Sequence, residues 1–174
     1  HQMACHKPGN AKAISTAPTG RQVRNVLWPH VHAAHKLGDL PGRLNQIEWV
    51  FPDLSIPSAY GFSPSNYDES AVQGVHAEES LLIVVDEAGG IAHQLGQALD
   101  SITTGTTHVL AIGNPATDSQ GSWFETITEL PLWHTIHISA FDSPNFCPVC
   151  RAPVYRPGDP CEACGAPTEW CPAA

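Results

Sequence analysis

A chain of 174 residues is long enough for one domain with a real core and a small appendage. Its 42% hydrophobic content describes a globular protein, and no apolar stretch is long enough to span a bilayer. A net charge of −9 argues against strong, sequence-independent nucleic-acid binding by the chain as a whole, but leaves room for contact through a local patch.

Residues 1–11 hold Pro8, Gly9 and Asn10 and read as loop. Ala13 to Ala17 is expected to be a short strand closed by Pro18. From Thr19 to Lys36, Val23, Val26, Leu27, Val31 and Ala34 recur at helical spacing. Pro29 either kinks that helix or opens a second one, and Gly38 stops it. Leu44 to Phe51 reads in part as a strand, with Ala59 to Phe62 as its hairpin-like partner. Ser63 to Ser70 is polar loop.

The run Leu81-Leu82-Ile83-Val84-Val85 is rich in branched side chains, as in a parallel strand buried on both faces. It ends in Asp86-Glu87, which marks where the strand leaves the core. Ile91 to Leu99 reads as a helix, and Thr106 to Ile112 as a second buried-type strand ending in Gly113-Asn114-Pro115. Ser122 to Leu130 reads as a helix, and His134 to Ala140 as a third strand by its alternation of Ile136 and Ile138. Strands alternating with helices predict an α/β parallel sheet. Parallel strands would bring their closing turns, Pro18-Thr19, Asp86-Glu87, Gly113-Asn114-Pro115 and Asp142-Ser143-Pro144, to one edge. Ligands bind at that carboxyl edge, and two acids there suit a hydrated Mg2+ and a water beside a phosphate.

Five of the six cysteines lie near the C-terminus. Cys147-Pro-Val-Cys150 and Cys161-Glu-Ala-Cys164 form two CxxC pairs, whose four thiolates can close a tetrahedral Zn2+ site. Free or disulfide-bonded cysteines are the alternative. The paired spacing favours these four over Cys171, and Cys5 reads as a lone thiol. This distribution suggests a reducing compartment. His30, His32 and His35 are expected to be solvated helix residues, as are His76 and His93. Trp28, Trp49, Trp123 and Trp133 are expected in the core or an interface. Arg21 and Arg24 read as surface charges.

In order, Thr16-Ala17-Pro18-Thr19 with Gln22-Val23 and Leu27-Trp28, Gln73-Gly74-Val75-His76-Ala77, Leu82 to Ala88, Ala111 to Pro115 with Gly121 to Phe124, and Ile138 to Phe146 resemble the ATPase domain of the large terminase subunit of tailed bacteriophages. The resemblance covers most of residues 12–146. It implies a partial P-loop NTPase core, RecA-like and of the catalytic-glutamate class, over residues 1–145; the CxxC pairs, apart from the resemblance, predict a zinc-ribbon-like appendage over 146–174. The resemblance implies that Asp86 holds Mg2+, that Glu87 polarises the attacking water, and that Asn114 senses the γ-phosphate of ATP. Its implied partners are double-stranded viral DNA, the portal and the small terminase subunit, in a homo-oligomeric ring in the host cytoplasm, with no membrane partner.

The chain departs from that family in three ways. No GxxxxGK[ST] loop occurs in these residues, no nuclease domain is seen, and the cysteine knuckle is an addition. The expectation is an internal fragment that begins after the phosphate loop, since its first residue is His1. Alone it would neither bind ATP tightly nor hydrolyse it. A helicase or other P-loop ATPase, or a non-catalytic zinc-ribbon adaptor on a degenerate ATPase scaffold, are the alternatives.

Overall fold

The structure is a computed structural model that describes residues 6–7, 9–62, 75–114, 121–143, 145–154 and 159–168. The expected loop at 63–70, Gln73-Gly74, Pro115, Pro144, Cys5 and Cys171 lie outside the described residues. The chain divides into two compact units, His1–Trp133 and His134–Ala174.

The first unit is an α/β layer structure. Strand β1 is Ala11–Thr16, β2 Arg43–Leu44, β3 Glu48–Val50, β4 Ala59–Phe62, β5 Ser80–Val85 and β6 Thr107–Ala111. They form one six-stranded sheet in the order β2-β3-β4-β1-β5-β6. Four neighbours, β4, β1, β5 and β6, run parallel, while β2 and β3 pair antiparallel at the far edge. The hairpin-like pairing expected for Ala59 to Phe62 is present as β3 against β4.

Register puts Ile14 beside Ile83 and Ile83 beside Val109, all on one sheet face. Helix α3 (His93–Ser101) and the short helix α4 (Trp123–Thr128) cover that face. Ile83, Val85, Leu95, Leu99, Trp123 and Ile127 are buried there. Gly96 is forced by this packing: a Cβ on it would lie 2.1 Å from Cγ of Trp123. Trp123 is held in place by donating its Nε1–H to Asp100 at 3.0 Å. Gly96→Ala should therefore lower the urea midpoint of the first unit, by a destabilisation of about 1–3 kcal/mol. An unchanged midpoint would contradict this packing.

The opposite face carries the N-terminal helix. Thr19 caps it in a capping box with Gln22. It runs as α1 (Gly20–Gln22), a π segment (Val23–Leu27) and α2 (Trp28–Leu37). Proline has no N–H to donate, and the π segment hands over to α2 just before Pro29. Trp28 is buried and donates Nε1–H to Ser15 at 3.0 Å. Gly61 makes room, since a Cβ there would lie 2.6 Å from both Trp28 and Val23.

Two expectations are corrected by the sheet. The strands β5 and β6 are not buried on both faces. Leu82 and Val84 are half-buried, and Leu110 and Ile112 are 50% and 52% exposed. The helix covers the sheet around β1 and β4, and β6 is an edge strand. The third strand expected at His134 to Ala140 is absent: residues 134–139 carry no strand, and Ile136 and Ile138 are exposed. Alternating side chains make a strand only where a neighbouring strand satisfies the backbone.

The second unit takes in residues 134–145, which the sequence alone groups with the sheet, together with the cysteine knuckles. Apart from a short turn at Ala140–Asp142 and a bridge between Phe146 and Pro153, its described residues are irregular.

Candidate functional site

At the carboxyl edge of the parallel strands, three turns come together. The amide of Asp86 donates to Thr16 O at 2.9 Å, which extends the β1–β5 ladder by one bond. The chain then turns at Glu87, whose φ of 51° and ψ of 45° are left-handed. The Glu87 amide donates to Oδ1 of Asp86 at 3.1 Å. The next amide, Ala88, donates to Ile112 O at 2.8 Å. Thus the backbone on both sides of the acid pair is held by flanking strands. Asp86 is half-buried and Glu87 is exposed.

The Gly113-Asn114 turn packs directly on the acid turn. A Cβ at Gly113 would lie 2.8 Å from the Ala88 nitrogen and 3.1 Å from the Gly89 nitrogen. Glycine is required by this close backbone approach. Asn114 follows and is exposed. On the other side, a Cβ at Gly90 would meet Pro18 at 2.8 Å. Pro18-Thr19, Asp86-Glu87 and Gly113-Asn114 therefore share one rim, as parallel strands require. Asp142-Ser143 belongs to the second unit. The rim also holds Thr16, fully buried, whose Oγ1 has no hydrogen-bond partner among the described residues.

A carboxylate pair on a backbone pinned by two neighbouring strands can hold a hard divalent cation through oxygen and leave a second carboxylate to accept a proton from water. A nearby amide side chain can donate to an anionic oxygen. That set of groups fits phosphoryl chemistry.

The second unit holds the densest cluster of ligand atoms. Cys147, Cys150, Cys161 and Cys164 place all four Sγ atoms within 4.8 Å of one another. Cys147 lies 3.6 Å from Cys164, and Cys150 lies 3.6 Å from Cys161. Four thiolates at about 2.3 Å from a tetrahedral Zn2+ sit about 3.8 Å apart, so the donor set fits a metal ion such as zinc. None of the four is in a disulfide.

The two knuckles are built alike. Arg151 N–H donates to Cys147 O at 2.9 Å, and Cys147 N–H to Ala152 O at 2.9 Å. In the second knuckle, Gly165 N–H donates to Cys161 O at 2.7 Å, and Cys161 N–H to Ala166 O at 2.8 Å. The residue after each pair is left-handed, Arg151 at φ 60° and Gly165 at φ 72°. The guanidinium of Arg151 lies 5.2 Å from the Phe141 ring centroid, and Phe141 packs on Phe146.

The thiols share charge unevenly. The amide of Cys150, helped by that of Val149, lowers Cys147 to about 6. For Cys164 the Ala166 amide pulls down, but the Cys150 thiol, burial and the other two thiols outweigh it and push the group up to about 12. Four adjacent sulfurs resist carrying four charges, and a divalent cation relieves that repulsion.

The histidines of α2 do not gather into a metal site: among the described residues the cysteine set is the one cluster of three or more such ligands. His30 is exposed as expected, but His32 and His35 are half-buried, with edge contacts to Trp28 at 6.3 Å and Trp49 at 5.1 Å. A second polar cluster escaped the sequence reading. Glu79 accepts from Asn10 Nδ2 at 2.9 Å and meets His6 Nδ1 at 3.1 Å, tying the residues before β1 to the start of β5. The Asn10 amide, ahead of the Lys7 amide and His6, lowers the Glu79 carboxyl below its usual range.

No protein-family model matches the chain, and comparison with curated proteins and with solved structures likewise finds no match.

Proposed function

We propose that this chain is part of a P-loop ATPase of the RecA-like, catalytic-glutamate class, similar to the large terminase subunit that packages DNA into phage proheads. The observation that carries this reading is the packing of the Gly113-Asn114 turn on the Asp86-Glu87 turn at the carboxyl edge of parallel strands. In this reading Asp86 positions Mg2+, Glu87 accepts the proton of the attacking water, and Asn114 donates to the γ-phosphate. ATP with Mg2+ supplies the phosphoryl group and its charge compensation. The backbone bonds that the Asp86 and Ala88 amides donate to Thr16 O and Ile112 O hold the acid turn against β1 and the end of β6, so a shift in the asparagine turn would be felt at the acids. Double-stranded viral DNA is the substrate that moves. The portal, a small terminase subunit and further copies of the chain in a ring are the protein partners, at work in the host cytoplasm. The four cysteines hold a structural Zn2+.

The test is ATP turnover by the full gene product. Mg2+-dependent hydrolysis that rises on addition of duplex DNA is expected. Absence of hydrolysis under those conditions would overturn the motor reading. It would favour a zinc-ribbon adaptor, a reading supported by the four-cysteine cluster.

A further inference from the structure

The charge of this chain is divided along its length. Six of the eight Lys and Arg residues lie within residues 1–47, against a single carboxylate there, Asp39. Half of these bases fall on the N-terminal helix. From Gly20 to Leu37 the helix contains no Asp or Glu, and it carries Arg21, Arg24, Lys36 and three histidines. Arg21, Arg24, Asn25, His30 and Lys36 are exposed, while Val23 and Trp28 face the sheet. Arg21, Arg24 and Lys36 make no ion pair among the described residues, where the one pair is His6 with Glu79. Asp39 is exposed just beyond the end of the helix.

We propose that the outer face of this helix is a docking surface for the phosphate backbone of a nucleic acid. Unpaired bases in a chain of net charge −9 are not needed for solubility. Three of them, Arg21, Arg24 and Lys36, stand on one acid-free helix, which leaves one face that a polyanion can approach, while the acid-rich remainder repels it. Length argues for a polymer over a mononucleotide. Arg21 to Lys36 spans about 22 Å of helix, the rise of about six base pairs. The helix N-terminus is not the binding element, because Thr19 and Gln22 already satisfy it. Position supports the assignment: Pro18, just ahead of the cap, touches the loop that follows the acid pair. A backbone held on this helix therefore lies beside the candidate hydrolytic rim.

The inference rests on the motor reading for its nucleic-acid partner, and it is tested without ATP. The 174-residue chain is titrated into a fluorescent 30-base-pair duplex, followed by anisotropy over a salt series. The parent is expected to bind at about 50 mM salt, with a log–log salt slope near −3 for about three phosphate contacts. Arg21→Ala/Arg24→Ala/Lys36→Ala should lose at least about tenfold in affinity and most of that slope. Arg21→Lys/Arg24→Lys should bind like the parent, because a point charge suffices for phosphate. Lys7→Ala, off the helix, should also bind like the parent. Parent-like binding by the triple alanine variant overturns the helix contact and leaves the motor reading to its turnover test. Failure of the parent to bind, or helix-dependent binding to phosphatidylserine vesicles but not to DNA, overturns the inference as well.

Discussion

If the four cysteines hold zinc as proposed, Cys161→Ser should cost the C-terminal unit both its metal and its fold. Among its described residues only Cys147, Cys161 and Thr168 are buried, so two of the three would be ligands. With almost no apolar core, the unit depends on whatever joins its two knuckles. Structural zinc supplies apparent binding energies of about 10–16 kcal/mol, which is folding energy in a module of this kind. The expected result is loss of one zinc equivalent by elemental analysis, with loss of hydrogen-exchange protection at the amides of Cys147, Arg151, Cys161 and Gly165. A chelator should do the same to the parent, and acid should assist it, because protons compete for the thiolates. The first unit should keep its own cooperative unfolding, since its core is built from Ile14, Ile83, Val85, Leu95, Leu99 and Trp123. A Cys161→Ser protein that keeps its metal and those protected amides would refute the zinc assignment.

Much of the sheet was legible in the chain. Apolar runs at 81–85 and 106–112, closed by acids or glycine, mark parallel strands whose turns must share an edge. That rule alone brings Asp86, Glu87 and Asn114 together. Other features depend on neighbours that a sequence does not display. The residues around Ile136 and Ile138 have strand periodicity, yet 134–139 form no strand: periodicity alone does not supply the partner that a strand's backbone needs. The half-exposure of Leu110 and Ile112 follows from the edge position of β6 and the placement of the N-terminal helix, both of which are tertiary facts. Some signals were present and unread. Thr19 followed three residues later by Gln22 is a capping box, and Pro29 within an apolar helix points to a break such as the π segment before it. The Glu79 cluster had no such signal, because Asn10 and His6 lie some 70 residues away in sequence.

The cysteine knuckles were the most legible site. Two CxxC pairs with a short spacer leave few ways to place four thiols. What the spacing did not show is that both knuckles repeat the same pair of backbone bonds, or that Arg151 takes the left-handed position filled by Gly165 in its twin.

The largest effect expected in the first unit is at Glu87. In the motor reading its carboxylate accepts the proton of the attacking water, while Asp86 serves the metal. Glutamine keeps the size and the polar contacts but cannot accept that proton. Loss of a positioned general base lowers turnover by about 10²–10⁴-fold. Nucleotide binding should persist, since Glu87 sits on a turn whose backbone is held by Ile112 and by Asp86 and not by its own side chain. Asp86→Asn should behave differently, raising the Mg2+ concentration needed for half-maximal turnover as well as lowering the rate.

The most direct measurement is therefore single-turnover ATP hydrolysis by Glu87→Gln in the full gene product, with nucleotide binding followed in the same samples. Binding close to the parent's with hydrolysis at least about a hundredfold slower is the predicted outcome. Hydrolysis at the parental rate would show that the acid turn does not do the chemistry assigned to it.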